Sequence, residues 1–347
     1  MRTPSFWYAA ESRTARALAG ALDPLGRLYG VAGRLRLALG SPAAVGVPVL
    51  CVGNLVAGGA GKTPVAIALA ERLPGAHVVT RGHGGSLRGP ARVDPARHGP
   101  AEVGDEALLL ARARPTWVAR DRAAGAAAAV AAGARAVILD DGFQNPALRK
   151  DLSLVVVDGA VGFGNGRLVP AGPLREPVAR GLARAQAVVL VGEDRTDLRH
   201  RLDARLPVLG ARLVPVPGSG VPRGLRAVAF AGIGRPGKFF ETCRMLGIDL
   251  VRAVPFADHH PFTEGELAAL AAEAERAGAA LLTTEKDAVR LPPGWAGRVR
   301  VLPVRLVWDD PGAVDGLLDR FLGPAGRGAG HPEANRSEHP GEHGHGA

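Results

Sequence analysis

Cysteine and aromatic residues are scarce in this chain of 347 residues. Its only cysteines are Cys51 and Cys243, which excludes a disulfide-stapled secreted module and a cysteine-rich zinc scaffold. Aromatic residues make up 4% of the sequence, and no recognisable module interleaves them with basic residues, so we expect no nucleic-acid partner. Lysine stands only at positions 62, 150, 238 and 286. Because arginine carries almost all the positive charge, each lysine is a candidate for a chemical role.

Long apolar runs are also missing. A secretory signal needs a continuous apolar stretch of about 7–15 residues near the start, and Glu11, Arg13 and Arg16 interrupt any such stretch here. A transmembrane helix requires about 20 consecutive apolar residues with few or no charges. The sequence contains no such uncharged apolar window. The Ala-rich stretch 123–139 contains Arg135 and is too weakly apolar. The sequence therefore predicts a cytoplasmic protein without a transmembrane segment.

Positive charge is in excess. The chain has 43 Lys and Arg against 33 Asp and Glu, a formal net charge of +10 at pH 7. This excess favours an anionic partner, and nucleic acid, acidic lipid and phosphorylated substrates satisfy it equally. With 47% hydrophobic residues the chain can bury a sizeable core, which excludes a wholly disordered or fibrous protein. The length predicts two domains.

Residues 1–40 form a segment with an apolar and a basic face. The residues at helical spacing on the apolar face are Leu18, Leu22, Leu25 and Tyr29, and the basic residues roughly opposite are Arg13, Arg16, Arg27 and Arg34. Phe6 and Trp7 precede them, and Pro24 falls inside the pattern. Such a helix can lie in a membrane interface. It can equally pack on the protein's own core, and the pattern alone leaves both interpretations open.

From residue 47 onward the chain alternates short apolar runs with Ala- and Leu-rich helical stretches. The expected strands are 47–52, 77–79, 136–139, 153–157, 187–191, 227–231, 280–283 and 300–307, and the clearest helices are 63–73, 121–133, 236–247 and 263–277. Continuous apolar strands separated by helices predict an α/β protein with a parallel sheet covered by helices on both faces. A Pro- and Gly-rich stretch, 206–224, resembles a hinge.

These patterns divide the chain into four segments. We expect an N-terminal helical segment at 1–40, a P-loop NTPase-like core at 41–210 and a smaller α/β subdomain at 211–323. Residues 324–347 are rich in Gly, Pro, Glu and His and lack an apolar face, so we expect a disordered tail. The tail histidines offer no specific metal site by pattern.

The strongest chemical motif is a glycine-rich loop between an expected strand and an expected helix. Its residues, the candidates for binding a nucleotide, are Val56, Ala57, Gly58, Gly59, Ala60, Gly61, Lys62 and Thr63. Glycines allow backbone N–H groups to wrap phosphates closely. The lysine then reaches the β- and γ-phosphates, and the threonine hydroxyl coordinates Mg²⁺. The usual pattern has glycine where this chain has Val56, so Gly58 and Gly59 supply the turn instead.

A second motif places two carboxylates at the end of an apolar strand. Asp140 and Asp141 follow the run AVIL at 136–139. Ligands of α/β proteins bind at the carboxyl ends of the strands, and an acid at this edge can hold the metal of a nucleotide site. Other segments are suggestive only: they are RGHGG at 81–85, GDE at 104–106, DHH at 258–260 and TEKD at 284–287. Each is equally ordinary as a turn or a helix cap.

In this order along nearly the whole chain, the motifs resemble the tetraacyldisaccharide 4'-kinases of lipid A biosynthesis. The segments that carry the resemblance are VGN at 52–54, GGAGKTP at 58–64, RGHGG at 81–85, VGDE at 103–106, DDGFQ at 140–144, VVVDG at 155–159, FGNGRLVPAGPLRE at 163–176, FAGIGRPGKFF at 230–240 and DHH at 258–260. The resemblance implies transfer of the γ-phosphoryl group of ATP to the 4'-hydroxyl of tetraacyldisaccharide 1-phosphate, which gives lipid IVA.

The resemblance also implies roles for individual residues. Lys62 and Thr63 would hold phosphate and Mg²⁺, and the metal would also be served by Asp140, Asp141 and Glu176. Asp105 matches the family's proposed base and would act with His259, since a carboxylate oriented by histidine can accept the proton of a sugar hydroxyl. Asn165 and Arg175 would lie near the substrate or metal.

The implied acceptor carries four acyl chains, so the enzyme must come to the bilayer. The resemblance therefore favours peripheral attachment of the N-terminal segment to the cytoplasmic face of the bacterial inner membrane. No obligate protein partner is evident. One alternative stays open at this point, a P-loop kinase of a soluble hydroxyl-bearing small molecule. A regulatory ATPase that binds nucleic acid is disfavoured, because no recognisable nucleic-acid-binding module is present.

Overall fold

The computed structural model of the chain describes residues 4–8, 12–202 and 204–323. These residues form two β-sheets with helices packed against them. The strands are β1 (Val49–Gly53), β2 (Ala76–Thr80), β3 (Ala91–Arg92), β4 (Thr116–Val118), β5 (Ala136–Asp140), β6 (Leu152–Asp158), β7 (Ala187–Val191), β8 (Val208–Pro215), β9 (Arg226–Ala231), β10 (Asp249–Pro255), β11 (Ala280–Thr284), β12 (Val299–Leu302) and β13 (Val304–Trp308). The predicted fold class, a largely parallel α/β protein with a second and smaller sheet, is confirmed.

The helices connect these strands, after a short 3₁₀ turn at Ser5–Trp7. They are α1 (Arg13–Ala38), α2 (Lys62–Arg72), α3 (Pro100–Val103), α4 (Asp105–Ala113), α5 (Arg122–Ala131), α6 (Val178–Leu182), α7 (Leu198–Arg201), α8 (Pro236–Met245), α9 (Glu264–Arg276), α10 (Glu285–Ala288) and α11 (Pro311–Leu322). Among the described residues, none of these helices has both the length and the hydrophobicity needed to cross a bilayer.

The large sheet has nine strands in the order β13-β8-β7-β6-β1-β5-β2-β4-β3. Seven strands run parallel, and the outer strands β13 and β3 pair antiparallel with their neighbours. Strand β1 lies between β5 and β6, and Val52 of β1 is in register with Asp140 of β5. The strand order changes direction at β1, which is the place where α/β sheets bind ligands. Both motifs of the expected nucleotide site therefore emerge at this point.

The inner strands of the large sheet are buried along their whole length, as their uninterrupted apolar runs predict. The small sheet has four parallel strands in the order β10-β9-β11-β12. Helices α8 and α9 cover it, with Phe240 in the cluster on one face and Leu267 in the cluster on the other. The small sheet thus has its own apolar core.

The structure differs from the predicted elements at two places. The stretch 206–224, expected to be a hinge, contains β8, whose Leu209 and Ala211 are buried in the large sheet. The single strand expected at 300–307 is two strands, because Pro303 separates β12 of the small sheet from β13 of the large one. The predicted boundary at 210/211 falls inside β8, and α11 returns to the core of the large sheet. The predicted tail at 324–347 lies outside the described residues.

Candidate active site

The phosphate-binding loop predicted at residues 56–63 connects β1 to α2. Gly58 and Gly61 have φ angles of 120° and 84°, in the left-handed region that favours glycine. Gly61 caps α2, and Lys62 and Thr63 are its first residues. The unpaired N–H groups of the first helical turn therefore lie beside the loop, which is the arrangement that binds phosphate.

Valine at position 56 is explained by its backbone. It forms an isolated antiparallel bridge with Leu174, and the N–H of Ala57 donates to the carbonyl oxygen of Pro173 at 2.7 Å. The non-glycine residues with positive φ in the described part of the chain do not include Val56. The start of the loop is thus held as a strand-like segment against residues 173–174, and a glycine is not required there.

Asp140 ends β5 and is almost fully buried. Its Oδ2 accepts a hydrogen bond from Oγ1 of Thr80 at 3.2 Å, whereas its Oδ1 is buried without a hydrogen-bond partner among the described residues. Burial raises the pKa of Asp140 to about 7, and the negative charges of Glu106 and Asp141 add to the effect. A buried acceptor without a partner is a position that a bound cation can satisfy.

Asp141 differs from its neighbour because it faces cations. Nη1 of Arg175 donates to its Oδ1 at 2.8 Å, and Nζ of Lys62 lies 3.7 Å from the same atom. Burial alone would raise the pKa of Asp141, but the charges of Lys62 and Arg175 outweigh it and lower the pKa to about 2. Its φ of 53° lies in the left-handed region, directly after the end of β5. Asp141 is therefore ionised and already paired.

The two sheets meet where Asp105 contacts His259. Asp105 begins α4, and His259 lies in the loop after β10 with a left-handed φ of 58°. Nδ1 of His259 is 3.0 Å from Oδ2 and 3.1 Å from Oδ1 of Asp105. Burial is the largest single influence and raises the pKa of Asp105, but the hydrogen bond and charge of His259 act against it. The charges of Lys286 and Arg290 add to the lowering, and the pKa lies below its usual value.

Glu106 links this pair to the phosphate loop. Its Oε1 accepts a hydrogen bond from Nζ of Lys286 at 3.0 Å. Burial raises the pKa of Glu106, but the positive charges of Lys286 and Lys62 outweigh it and the pKa is lowered. Lys286 in turn lies 3.4 Å from Nε2 of His259 and 3.7 Å from Oδ1 of Asp258. Carboxylates and cations from both sheets thus form one electrostatic network.

Glu176 lies in a different environment from the other predicted metal ligands. Nη2 of Arg184 donates to both of its carboxylate oxygens at 2.7 Å, and Nε2 of Gln144 donates to Oε1 at 3.0 Å. The described residues contain no group of three or more His, Cys, Asp or Glu placed to hold a metal ion. Glu176 is therefore not clustered with Asp140 and Asp141, and its assignment as a ligand stays a prediction.

Several residues of the network were not singled out from the sequence. Arg290 lies outside every motif of the sequence, although it donates to Oδ2 of Asp105 at 2.9 Å. Glu106 and Lys286 lie within the GDE and TEKD motifs, whose pattern assigns neither of them a role. Asn165, expected near the substrate, binds its own loop through the carbonyl oxygen of Ala171 at 3.0 Å. Motif spacing could not reveal the contacts of Arg290, Glu106 and Lys286, because each depends on how the two sheets meet.

Helix α1 packs through its small residues rather than its leucines. Gly26 and Gly30 are buried, and a Cβ atom added at either would meet Leu168 at 3.0 and 2.6 Å. Asp23 forms an ion pair of 2.8 Å with Arg167 of the same loop. The large apolar residues of the segment that stay exposed are Leu18, Leu25, Leu28, Tyr29, Val31, Leu35 and Leu39. The helix continues through Pro24, and its apolar surface has no cover within the described chain.

Comparison with known proteins gives a consistent result. Residues 18–322 match the family model described as tetraacyldisaccharide-1-P 4'-kinase. A tetraacyldisaccharide 4'-kinase of Rhodospirillum centenum is 57% identical over 327 residues, covering 93% of this chain and 97% of the relative. One of Paramagnetospirillum magneticum is 54% identical over 326 residues, covering 92% and 99%. A crystal structure of LpxK from Aquifex aeolicus in complex with ATP has a TM-score of 0.69 and 27% identity, covering 88% of this chain and 99% of that one.

Proposed function

The chain belongs to the tetraacyldisaccharide-1-P 4'-kinase family, and we propose how its residues perform that family's reaction. The family predicted from the motifs is confirmed. The enzyme transfers the γ-phosphoryl group of ATP to the 4'-hydroxyl of tetraacyldisaccharide 1-phosphate and forms lipid IVA. The observation that carries the assignment of residues is the contact of Asp105 with His259 where the two sheets meet, next to Glu106, whose pKa is lowered by the charge of Lys62.

The loop at residues 56–63 is the nucleotide site in this proposal. Its backbone N–H groups and the start of α2 face the phosphates of ATP, and Lys62 balances their charge. In the structure described here Lys62 lies near Asp141, which is itself paired with Arg175. Asp141 therefore holds the lysine near the loop, and Lys62 reaches the β- and γ-phosphates when the nucleotide binds.

Residues beside the loop fit Mg²⁺. The buried Oδ1 of Asp140 has no hydrogen-bond partner among the described residues, and a carboxylate and a hydroxyl are the hard oxygen donors that Mg²⁺ prefers. Mg²⁺ commonly binds one or two carboxylates together with substrate phosphates, so Asp140 and Thr63 would hold it, with Asp141 close by. When bound, the ion neutralises charge on the transferring phosphoryl group. Glu176 is joined instead to Gln144, whose Nε2 also donates to the carbonyl oxygen of Asn54 just before the loop.

Asp105 and His259 accept the proton of the acceptor hydroxyl. A sugar hydroxyl is a weak nucleophile, and a positioned base removes its proton as the new oxygen–phosphorus bond forms. Asp105 is 3% exposed, and Nδ1 of the more exposed His259 imidazole orients its carboxylate. The pair shares one proton-accepting function, since the imidazole holds in place the ionised carboxylate that takes the proton. The bond between the γ-phosphorus and the oxygen of ADP breaks, and ADP leaves.

We place the acceptor lipid at α1. The helix presents Leu28 and Leu35 outward, at 66% and 56% exposure, and Leu39 just after its end is 83% exposed, beside arginines that favour an anionic leaflet. Burial of such a face in the lipid interface, with about 1 kcal/mol from each well-placed arginine, supports peripheral attachment. We propose that this attachment is to the cytoplasmic face of the inner membrane.

A micelle assay tests this function. Purified protein is given Mg²⁺, radiolabelled ATP and tetraacyldisaccharide 1-phosphate in detergent, beside Lys62→Ala. We expect labelled lipid with two phosphates from the wild type, and none from a Lys62→Ala variant that keeps its circular dichroism spectrum, because Lys62 contributes charge to the site. Folded wild-type protein that binds ATP but labels no lipid would remove the lipid acceptor and turn the search to soluble hydroxyl compounds.

A further inference from the structure

The first two residues of α4 each meet a cation from the far side of the molecule. Asp105 accepts from Nη1 of Arg290 at 2.9 Å, and Glu106 accepts from Nζ of Lys286 at 3.0 Å. Both cations follow β11 of the small sheet, whereas α4 packs on the large sheet. Two ion pairs therefore connect the sheets at the proposed proton acceptor.

The Arg290 side chain that contacts Asp105 is itself held by several other groups. Its side chain is 7% exposed, its Nη2 donates to the carbonyl oxygen of Gly232 at 2.9 Å, and its guanidinium lies 5.6 Å from the centre of the Phe262 ring. It also forms an ion pair with Asp287. Asp287 is fully buried and accepts from Oγ1 of Thr284 at 2.7 Å and from the N–H of Gly232 at 3.1 Å. The guanidinium is thus fixed on several sides.

The contacts of Asp105 leave its carboxylate little freedom to rotate. Oδ1 accepts from the N–H of Glu106 at 2.9 Å, and Oδ2 accepts from Arg290. Nδ1 of His259 lies between the two oxygens. An ionised carboxylate accepts about four hydrogen bonds, so the donors from three segments determine its plane. Rotation would break the bond to Arg290, whose partners are buried.

We propose that Arg290 is a positioning residue for phosphoryl transfer, which fixes the Asp105 carboxylate against His259 and pairs with its negative charge. The proposal rests on the function assigned to the Asp105–His259 pair above. Arg290 contacts neither ATP nor acceptor in this account and acts through Asp105. Small errors in the placement of a catalytic group can cost about a hundredfold in rate, which makes a rigid support at this position effective.

The charges around Asp105 give the sign of the expected pH effect. His259 faces it from the loop after β10, Lys286 and Arg290 face it from the segment after β11, and Glu106 follows it in α4. The ionised form of Asp105 is the active one. Loss of the Arg290 charge raises the pKa of Asp105. As the pH is lowered, a variant without this charge therefore loses activity at a higher pH than the wild type.

The test compares Arg290→Met with Arg290→Lys in the micelle assay across pH. We expect kcat of Arg290→Met to fall by about ten- to a hundredfold, with the KM for ATP unchanged and the acidic limb of the pH profile moved upward. Arg290→Lys keeps the charge but loses the second arm of the guanidinium. We expect its acidic limb to stay with the wild type while kcat recovers in part, a pattern that a loss of folding alone would not produce.

Controls separate this inference from general damage. Arg298→Met removes an exposed arginine of the same subdomain, which stacks on Trp295 at 4.1 Å, and we expect wild-type kinetics. If Arg290→Met does not fold, Asp287→Asn tests the same support by loosening Arg290. Wild-type kcat and pH profile in Arg290→Met, or in a folded Asp287→Asn where the former does not fold, would overturn the proposal.

The failure of the underlying function has a different signature. Full activity of Asp105→Asn would remove Asp105 as part of the proton acceptor, and the inference about Arg290 would fall with it. An inactive Asp105→Asn beside a fully active Arg290→Met would leave the function standing and overturn only the positioning role. An upward shift of the acidic limb in Arg290→Met with a slow Asp105→Asn supports both.

Discussion

At the scale of single residues, the pKa values of two adjacent carboxylates in this site are shifted in opposite directions because their neighbours differ. Burial raises the pKa of Asp140 to about 7. Burial also acts to raise the pKa of Asp141, but Lys62 and Arg175 lower it to about 2. Environments that separate the pKa values of neighbouring acids are typical of functional sites. One acid is therefore free to bind a cation, while the other holds the loop lysine.

The raised pKa of Asp140 predicts a pH-dependent stability in the absence of nucleotide and metal. The folded protein keeps a proton on Asp140 that the unfolded chain releases above pH 3.8, so stability falls as the pH rises from there to about 7. Asp140→Asn has no proton to lose. We expect the variant to unfold at a higher temperature than the wild type at pH 8 in EDTA, with the difference shrinking towards pH 4.5. A difference in unfolding temperature between the two proteins that stays the same from pH 4.5 to pH 8 would contradict the assigned charge state.

Substitution of Asp105 tests the proton acceptor. We expect Asp105→Asn to lower kcat by about 10²- to 10⁴-fold, the usual contribution of a general base, with ATP affinity retained because Asp105 pairs with His259 rather than with the phosphate loop. Titration of the folded variant with a fluorescent ATP analogue measures the affinity. A large loss of nucleotide binding with little change in kcat would move Asp105 to the metal side of the site.

The residues that the sequence could predict are those whose role follows from local backbone geometry. Lys62 and Thr63 follow a glycine-rich turn and open a helix, and Asp140 ends a buried strand. Arg290 is different: its partner Asp105 is 185 residues away, and no local pattern indicates the pairing. The resemblance associated Asp105 with His259, but their contact depends on the placement of both sheets.

At the scale of elements, α1 and the loop at residues 163–175 form one unit with the phosphate loop. Gly26 and Gly30 allow α1 to approach Leu168 closely. The other end of the same loop bonds to the nucleotide side, where Pro173 accepts from the N–H of Ala57 at 2.7 Å. The proposed membrane helix and the proposed ATP site therefore share a support, which would keep the acceptor near the γ-phosphate.

The exposed leucines of α1 give a prediction about membrane binding. We expect Leu28→Glu and Leu35→Glu together to reduce co-sedimentation with anionic liposomes, because a charge replaces apolar surface on the face that enters the interface. Activity on detergent-dispersed acceptor should fall less than activity on acceptor embedded in liposomes. Met245→Glu, a change at an 80% exposed residue of α8, is the matched control. Unchanged sedimentation of the double variant would remove α1 as the membrane contact.

The sequence predicted helices and strands correctly where the apolar pattern was continuous. It failed where the structure of a segment depends on the strands that lie next to it in space. Strands β5, β6 and β7 lie where their apolar runs placed them. The expectation of a hinge at 206–224 was wrong for β8, since proline and glycine near a strand do not exclude it at the outer part of a sheet. The division between β12 and β13 at Pro303 was missed because both strands have similar composition.

At the scale of the whole molecule, the two sheets approach each other over the phosphate loop. A Cβ atom added at Gly234 would lie 3.3 Å from the backbone nitrogen of Gly59 and 3.5 Å from Oδ2 of Asp258. Asp158 at the end of β6 also accepts from Nη1 of Arg235 at 2.6 Å and from Nζ of Lys238 at 3.0 Å. The loop before α8 is therefore fitted closely against the nucleotide side of the large sheet.

This close fit predicts the effect of adding a side chain. We expect Gly234→Val to lower kcat/KM for ATP by about tenfold or more, because the new methyl groups push the small sheet away from the phosphate loop and misplace the reacting groups. Gly237→Val is the control, since a Cβ atom there has open space. Steady-state kinetics with varied ATP measure the effect. Equal kinetics for both variants would show that the approach of the two sheets has no part in the reaction.

The most direct measurement is the position of the phosphate that the purified enzyme adds. Wild-type protein, Mg²⁺ and ATP are incubated with tetraacyldisaccharide 1-phosphate in micelles, and the lipid product is examined by mass spectrometry and phosphorus NMR. We predict one added phosphomonoester, on the 4'-oxygen, absent with Lys62→Ala and strongly reduced with Asp105→Asn. A phosphate on another oxygen, or hydrolysis of ATP with the lipid unchanged, would contradict the account.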